Sequence, residues 1–128
     1  MSEKIYQAVP PTPGTEPYWD AAKEGKLLLR YCKDDGKPHY YPRQICPYTF
    51  STNLEWREAK GTGEIYTYSI MNAAKPPYVI AYVTLDEGVS MMTNIVDCDP
   101  STVKVGQKVK VVFKDMDNGG KLPCFTPA

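Results

Sequence analysis

Two cysteines open short segments of similar build, Cys32-Lys33-Asp34-Asp35-Gly36 and Cys46-Pro47-Tyr48-Thr49. A structural zinc takes four soft ligands in a tetrahedron, and two Cys-x-x-Cys pairs on facing turns would supply them. Asp35 and Thr49 stand where the second cysteine of each pair would be. Zinc also accepts carboxylate and imidazole, so Asp35 and His39 are the residues that would complete a mixed set with Cys32 and Cys46. Two cysteines alone make a poor site. The preferred reading is a degenerate one: zinc is not expected, and the knuckles persist as tight turns held by Gly36, Pro47 and the bulk of Tyr40, Tyr41, Tyr48 and Phe50.

Nucleophilic catalysis has little to draw on. The chain has a single histidine, His39, in a stretch rich in proline and tyrosine, with no evident third group to orient it toward a cysteine or serine. No catalytic residue is expected. Arg43 is better suited to recognition, because a guanidinium makes planar paired contacts with carboxylate or phosphate; its competing role is to clamp the turns beside it. Arg43 and Tyr41 are therefore candidates for ligand or partner contact. So is the loop of Lys75, Pro77 and Tyr78, where a lysine can meet the phosphates of a coenzyme A. A solvated lysine is the plainer reading of Lys75. Cys98 and Cys124 have no cysteine near them in sequence and read as small packing residues.

At 128 residues there is room for one domain, or for one small domain with an appended module. Acidic and basic residues balance at 15 each, so no global field draws the chain to nucleic acid or to an anionic membrane. No stretch approaches the roughly 20 apolar residues that cross a bilayer, and Met1-Ser2-Glu3-Lys4 lacks the pattern of an export signal. A cytoplasmic protein with no membrane association is expected, in which cysteines are thiols or former metal ligands.

These groups need elements to position them. Residues 1–15, with Pro10, Pro11 and Pro13, read as an extended arm. Thr15 is placed to cap a short helix that runs through Tyr18-Trp19 and Ala22 to a stop at Gly25. Residues 16–53 then form this helix and the knuckle module, with strand-like runs at 27–31 and 37–43. From Leu54 to the end the texture is that of a small antiparallel barrel. Its runs are Glu64–Met71, Tyr78–Leu85, Val89–Val96, Lys108–Lys114 and Leu122–Phe125, with a short helical turn at Asp99-Pro100-Ser101. Val79, Ala81, Val83 and Leu85 share one face, as do Val109, Val111 and Phe113. The fold class is mostly β: an N-terminal helix and a degenerate zinc-ribbon-like module, then a five-stranded OB-fold barrel.

The order and spacing of several short segments resemble a known family of small proteins that join a rubredoxin-like zinc ribbon to an acyl-CoA-associated OB-fold domain. The segments are Trp19 with Gly25-Lys26-Leu27-Leu28, the frame Cys32 to Gly36 with Pro42-Arg43 and Cys46-Pro47, Gly61-x-Gly63 before Tyr66-Thr67-Tyr68-Ser69, Pro77-Tyr78-Val79, Leu85-Asp86-Glu87-Gly88, Asn94-Ile95-Val96, Val105-Gly106, and Leu122-Pro123-x-Phe125. The resemblance implies a non-catalytic accessory subunit that docks on a thiolase-fold enzyme and helps form or stabilise its acyl-CoA site, with acyl-CoA as a possible ligand. The alternative is a single-stranded nucleic-acid-binding OB-fold module, since such barrels stack bases on aromatic side chains over a basic groove. Ten tyrosines speak for it and the neutral charge balance against it, while the segment of Lys104, Lys108, Lys110 and Lys114 reads first as a solvated sheet face and second as a phosphate-facing patch.

Overall fold

The computed structural model describes residues 14–40, 42–73, 76–117 and 119–128. The proline-rich arm lies outside them except for its last two residues. The chain divides into two compact units, Met1–Ala59 with Phe113–Pro123, and Lys60–Val112 with Cys124–Ala128.

In the first unit, α1 (Glu16–Lys23) buries Tyr18, Trp19 and Ala22 on one side. Tyr18 meets Trp19 edge to face at 5.0 Å and stacks on Tyr40 at 6.0 Å, and the two tyrosine hydroxyls lie 3.1 Å apart. The helix ends as its sequence directs. Gly25 takes φ +81, a left-handed conformation that costs glycine nothing, and the Lys26 N–H returns 2.9 Å to the Ala21 carbonyl. Thr15 occupies the N-cap without a capping hydrogen bond from its side chain, because its own backbone is helical (φ −104, ψ −1) where a capping residue is extended.

Strands β1 (Leu28–Cys32), β2 (Pro38–His39) and β3 (Leu54–Glu58) form a sheet in the order β2-β1-β3. Of the described residues in the long run expected at 37–43, Pro38 and His39 are the two that pair. β3 lies on the barrel side of the boundary drawn from the sequence, yet it pairs along its whole length with β1, Cys32 opposite Leu54 and Leu28 opposite Glu58. The pairing is reinforced where Arg30 lies over the Trp56 ring at 4.6 Å and Arg57 over Tyr31 at 4.5 Å.

The remaining strands, β4 (Thr62–Met71), β5 (Tyr78–Leu85), β6 (Ser90–Ile95), β7 (Lys108–Asp115) and β8 (Lys121–Pro127), close into a barrel in the order β4-β5-β6-β8-β7. A short 3-10 turn, Pro100–Thr102, follows β6, and the Asp99 carboxylate accepts the Ser101 N–H that caps it. This is the OB plan expected from the sequence. Val79, Ala81, Val83 and Leu85 are all buried, as alternation requires. On β7 only Val109 is buried; Val111 and Phe113 are half-buried. The register of β4 slips between Ile65 and Thr67, a bulge that bends the longest strand around the barrel. No helix among the described residues is long and apolar enough to cross a membrane.

The pairing of β4 with β5 is tight at Gly63, opposite Leu85, where an added methyl would lie 2.4 Å from the Thr84 carbonyl oxygen and 3.1 Å from the Leu85 Cα. Both obstacles are backbone and cannot rotate away. Gly63→Ala should lower stability by about 1–3 kcal/mol, read as a lower urea midpoint with an unchanged slope.

Candidate functional site

The two knuckles fold alike. In the first, the Gly36 N–H returns 2.8 Å to the Cys32 carbonyl; in the second, the Phe50 N–H returns 2.9 Å to the Cys46 carbonyl. Both closing residues need positive φ, and the second turn places a phenylalanine there: Gly36 has φ 70 and Phe50 has φ 60. A left-handed conformation costs a residue with a Cβ roughly 1–2 kcal/mol, and Phe50 bears it while 77% exposed.

Side chains at the equivalent positions of the two turns converge. The sulfurs of Cys32 and Cys46 and a carboxylate oxygen of Asp35 all lie within 4.8 Å of one another. Thr49 takes the remaining place, its hydroxyl 3.4 Å from the Cys32 sulfur. The Cys46 sulfur accepts the Tyr48 N–H at 3.4 Å. Burial pushes the Cys46 thiol up, but hydrogen bonds from Thr49, Tyr48 and Cys32 outweigh it and hold the thiol below its ordinary range. One oxygen of Asp35 is also occupied, accepting the Lys37 N–H at 2.9 Å.

His39 does not join this group. It is 2% exposed, and its Nε2 accepts the Arg43 N–H at 3.2 Å, so the neutral ring carries its hydrogen on Nδ1. That Nδ1 is buried with no partner among the described residues. Burial, then the charges of Arg43 and Arg30, hold its pKa below the ordinary value of 6.5. Arg43 is exposed; its carbonyl accepts the Arg30 Nε–H at 3.4 Å. Together with Gln44, Ile45, Cys46, Pro47 and Phe50 it lines an open depression of about 440 Å³. Arg43 belongs to the first unit and Pro77 and Tyr78 to the second. There Pro77 is exposed, and Tyr78 opens β5, half-buried opposite Met71. Tyr41 and Lys75 lie outside the described residues.

Tyr48 and Phe50 do not pack to hold the knuckles as their bulk suggested; they form an exposed apolar rim on the second one. Ile45, Tyr48 and Phe50 are 50%, 60% and 77% exposed. The sequence carried one sign of it, a bulky residue at the closing position that Gly36 fills in the first knuckle.

The zinc-ribbon domain described as "ChsH2, rubredoxin-like zinc ribbon domain" matches residues 19–55, and the one described as "ChsH2, C-terminal OB-fold domain" matches residues 56–114. A "DUF35 domain-containing scaffold protein" of Methanocaldococcus jannaschii is 36% identical over 110 residues, covering 80% of this chain and 78% of the relative. The chain belongs to the DUF35 family. A "probable enoyl-CoA hydratase alpha subunit" of Thermomonospora curvata is 32% identical over 116 residues, which cover 87% of this chain. The match spans only 36% of that longer protein. Among solved structures, a chain of "Ltp2-ChsH2(DUF35) aldolase" superposes with a TM-score of 0.83 at 29% identity, covering 94% of this chain and 98% of that one.

Zinc is what a ribbon of this family implies, and the residues present do not fit a closed structural site. Such a site takes four ionisable or imidazole donors. Among the described residues three converge, and the Thr49 hydroxyl at the remaining place already accepts the Ser51 N–H at 3.3 Å. The histidine that might have served is turned to the Arg43 backbone.

The state of His39 has a consequence for stability. Its folded pKa lies below the unfolded value, so as pH falls the unfolded chain takes up the proton first. Stability should therefore decline as pH drops below about 6.5 and level off beneath the folded pKa. Urea midpoints measured from pH 8 to pH 5 check this. His39→Gln should be less stable at neutral pH and should lack that part of the slope.

Proposed function

We propose that this DUF35 chain is a non-catalytic accessory subunit that docks on a thiolase-fold enzyme and helps form or stabilise its acyl-CoA site. The observation that carries the reading is the likeness along 94% of the chain to a chain of the Ltp2-ChsH2(DUF35) aldolase. Relatives named as a scaffold protein and as a hydratase subunit point the same way. The chain's own chemistry agrees: its single histidine is buried and accepts a backbone hydrogen bond, which leaves it no nucleophile to activate.

In this reading the ribbon works as a shaped surface without bound zinc. Arg43 shares the depression with the exposed Ile45 and Phe50, a cation beside exposed apolar groups, a composition suited to partner contact. Tyr41 shares this role, and Lys75, Pro77 and Tyr78 are assigned to the ligand side, where the partner completes the acyl-CoA site. The nucleic-acid reading is weakened because Lys108 of the basic segment is ion-paired with Glu64.

A tagged chain drawn from its host's extract at low salt should bring down a thiolase-fold enzyme in stoichiometric amount, identified by mass spectrometry. The chain alone should turn over no acyl-CoA. Arg43→Glu should weaken the complex about tenfold, or ~1.4 kcal/mol, with an unchanged circular dichroism spectrum. Turnover by the isolated chain, or repeated failure to recover such an enzyme, would rule the proposal out.

A further inference from the structure

A ribbon that lacks two of its four metal-binding cysteines keeps two thiols facing each other across the gap. The sulfurs of Cys32 and Cys46 lie within 4.8 Å and come from separate turns, each braced by its own backbone bond. Both residues are buried with 0% exposure and neither is in a disulfide. They are not equivalent. Cys46 lines the depression together with Arg43 and the exposed side chains of Ile45 and Phe50, and Cys32 does not. Cys32 ends β1, paired with Leu54, with its sulfur 3.4 Å from the Thr49 hydroxyl.

From this asymmetry we infer that Cys46 and Cys32 are a thiol pair that reacts with a low-molecular-weight disulfide of anionic character, Cys46 attacking and Cys32 resolving, to bridge the two knuckles where the family places zinc.

The chemistry balances with glutathione disulfide as the oxidant. The Cys46 thiolate attacks one of its sulfurs, which breaks the external S–S bond, releases one glutathione thiolate and leaves a mixed disulfide on Cys46. Cys32 gives up its proton, attacks the Cys46 sulfur and expels the second glutathione. Two protein thiols are oxidised, one external disulfide is reduced, and the two protons leave with the two glutathiones. The arrangement favours each step. Arg43 draws the carboxylates of the reagent to the depression that Cys46 lines, and Cys32 is already within reach of Cys46. Cys46 is fully buried, so its surroundings must open for the reagent to reach it, and the reaction should be slow compared with that of an exposed thiol.

The purified full-length chain is incubated with glutathione disulfide, quenched by alkylation and mapped by mass spectrometry. The expected product lacks two hydrogens and joins the peptide of Cys32 to that of Cys46. Cys32→Ser should stop at a glutathione adduct on Cys46, and Cys46→Ser should yield no adduct at position 32. Zinc ion alone, added to the reduced protein, should bind in far less than one equivalent and leave the reaction rate unchanged. Three results would overturn the inference: wild-type protein that keeps both thiols, a bridge that uses Cys98 or Cys124 instead, or one equivalent of zinc bound with both thiols protected. The wild-type map decides even if a serine variant does not fold.

Discussion

Two backbone hydrogen bonds of the same design govern the ribbon. Each joins a cysteine carbonyl to the N–H four residues on, and each demands a left-handed residue to close it. Once both turns are made, four side chains must meet whatever they are, because the backbone aims Cys32, Asp35, Cys46 and Thr49 at one place. Metal, thiol and hydroxyl are alternative occupants of a convergence that the turns impose. Gly36 meets the demand without cost. Phe50 meets it with strain, and in doing so projects a large apolar ring outward.

The surroundings make that convergence sustainable without four ligands. β1 is bonded on both edges, to β2 and to β3, so Cys32 is anchored by strand pairing. Asn53 donates to Asp34 across the two loops at 3.1 Å, and with Ser51 it holds that carboxylate below its usual range. The Lys33 N–H reaches the Asn53 carbonyl at 2.8 Å. Tyr18 and Tyr40 tie the helix to the approach of the second knuckle. Each neutral bond contributes on the order of 1 kcal/mol, and several acting on the same two loops can substitute for part of what a structural metal supplies.

The barrel is built on different terms. Its core follows from strict alternation on β5 and β6, and the course of β4 from one bulge and one close approach to β5 at Gly63. On its outer surface Glu64 pairs with Lys108, and Thr62 donates to Asp86, so part of the charge there is engaged locally. A surface neutralised in this way offers little long-range attraction, so recognition has to come from shape and from a few apolar or cationic groups.

Local pattern was enough to read much of this. Two-residue alternation marked β5, Gly25 marked the end of the helix, and matched cysteine spacing marked the knuckles, because each depends on residues near in sequence. What the chain could not reveal one segment at a time were the outcomes of distant pairing. Leu54–Glu58 is short and highly charged and reads poorly as a strand, yet β1 recruits it along its full length. His39 was a metal candidate by type and proximity, and only the fold shows its ring turned to the Arg43 backbone and sealed from water. Residue types and spacing determined which groups could meet at the ribbon; the tertiary structure decided which did, because burial and hydrogen-bond direction exist only after remote strands have paired.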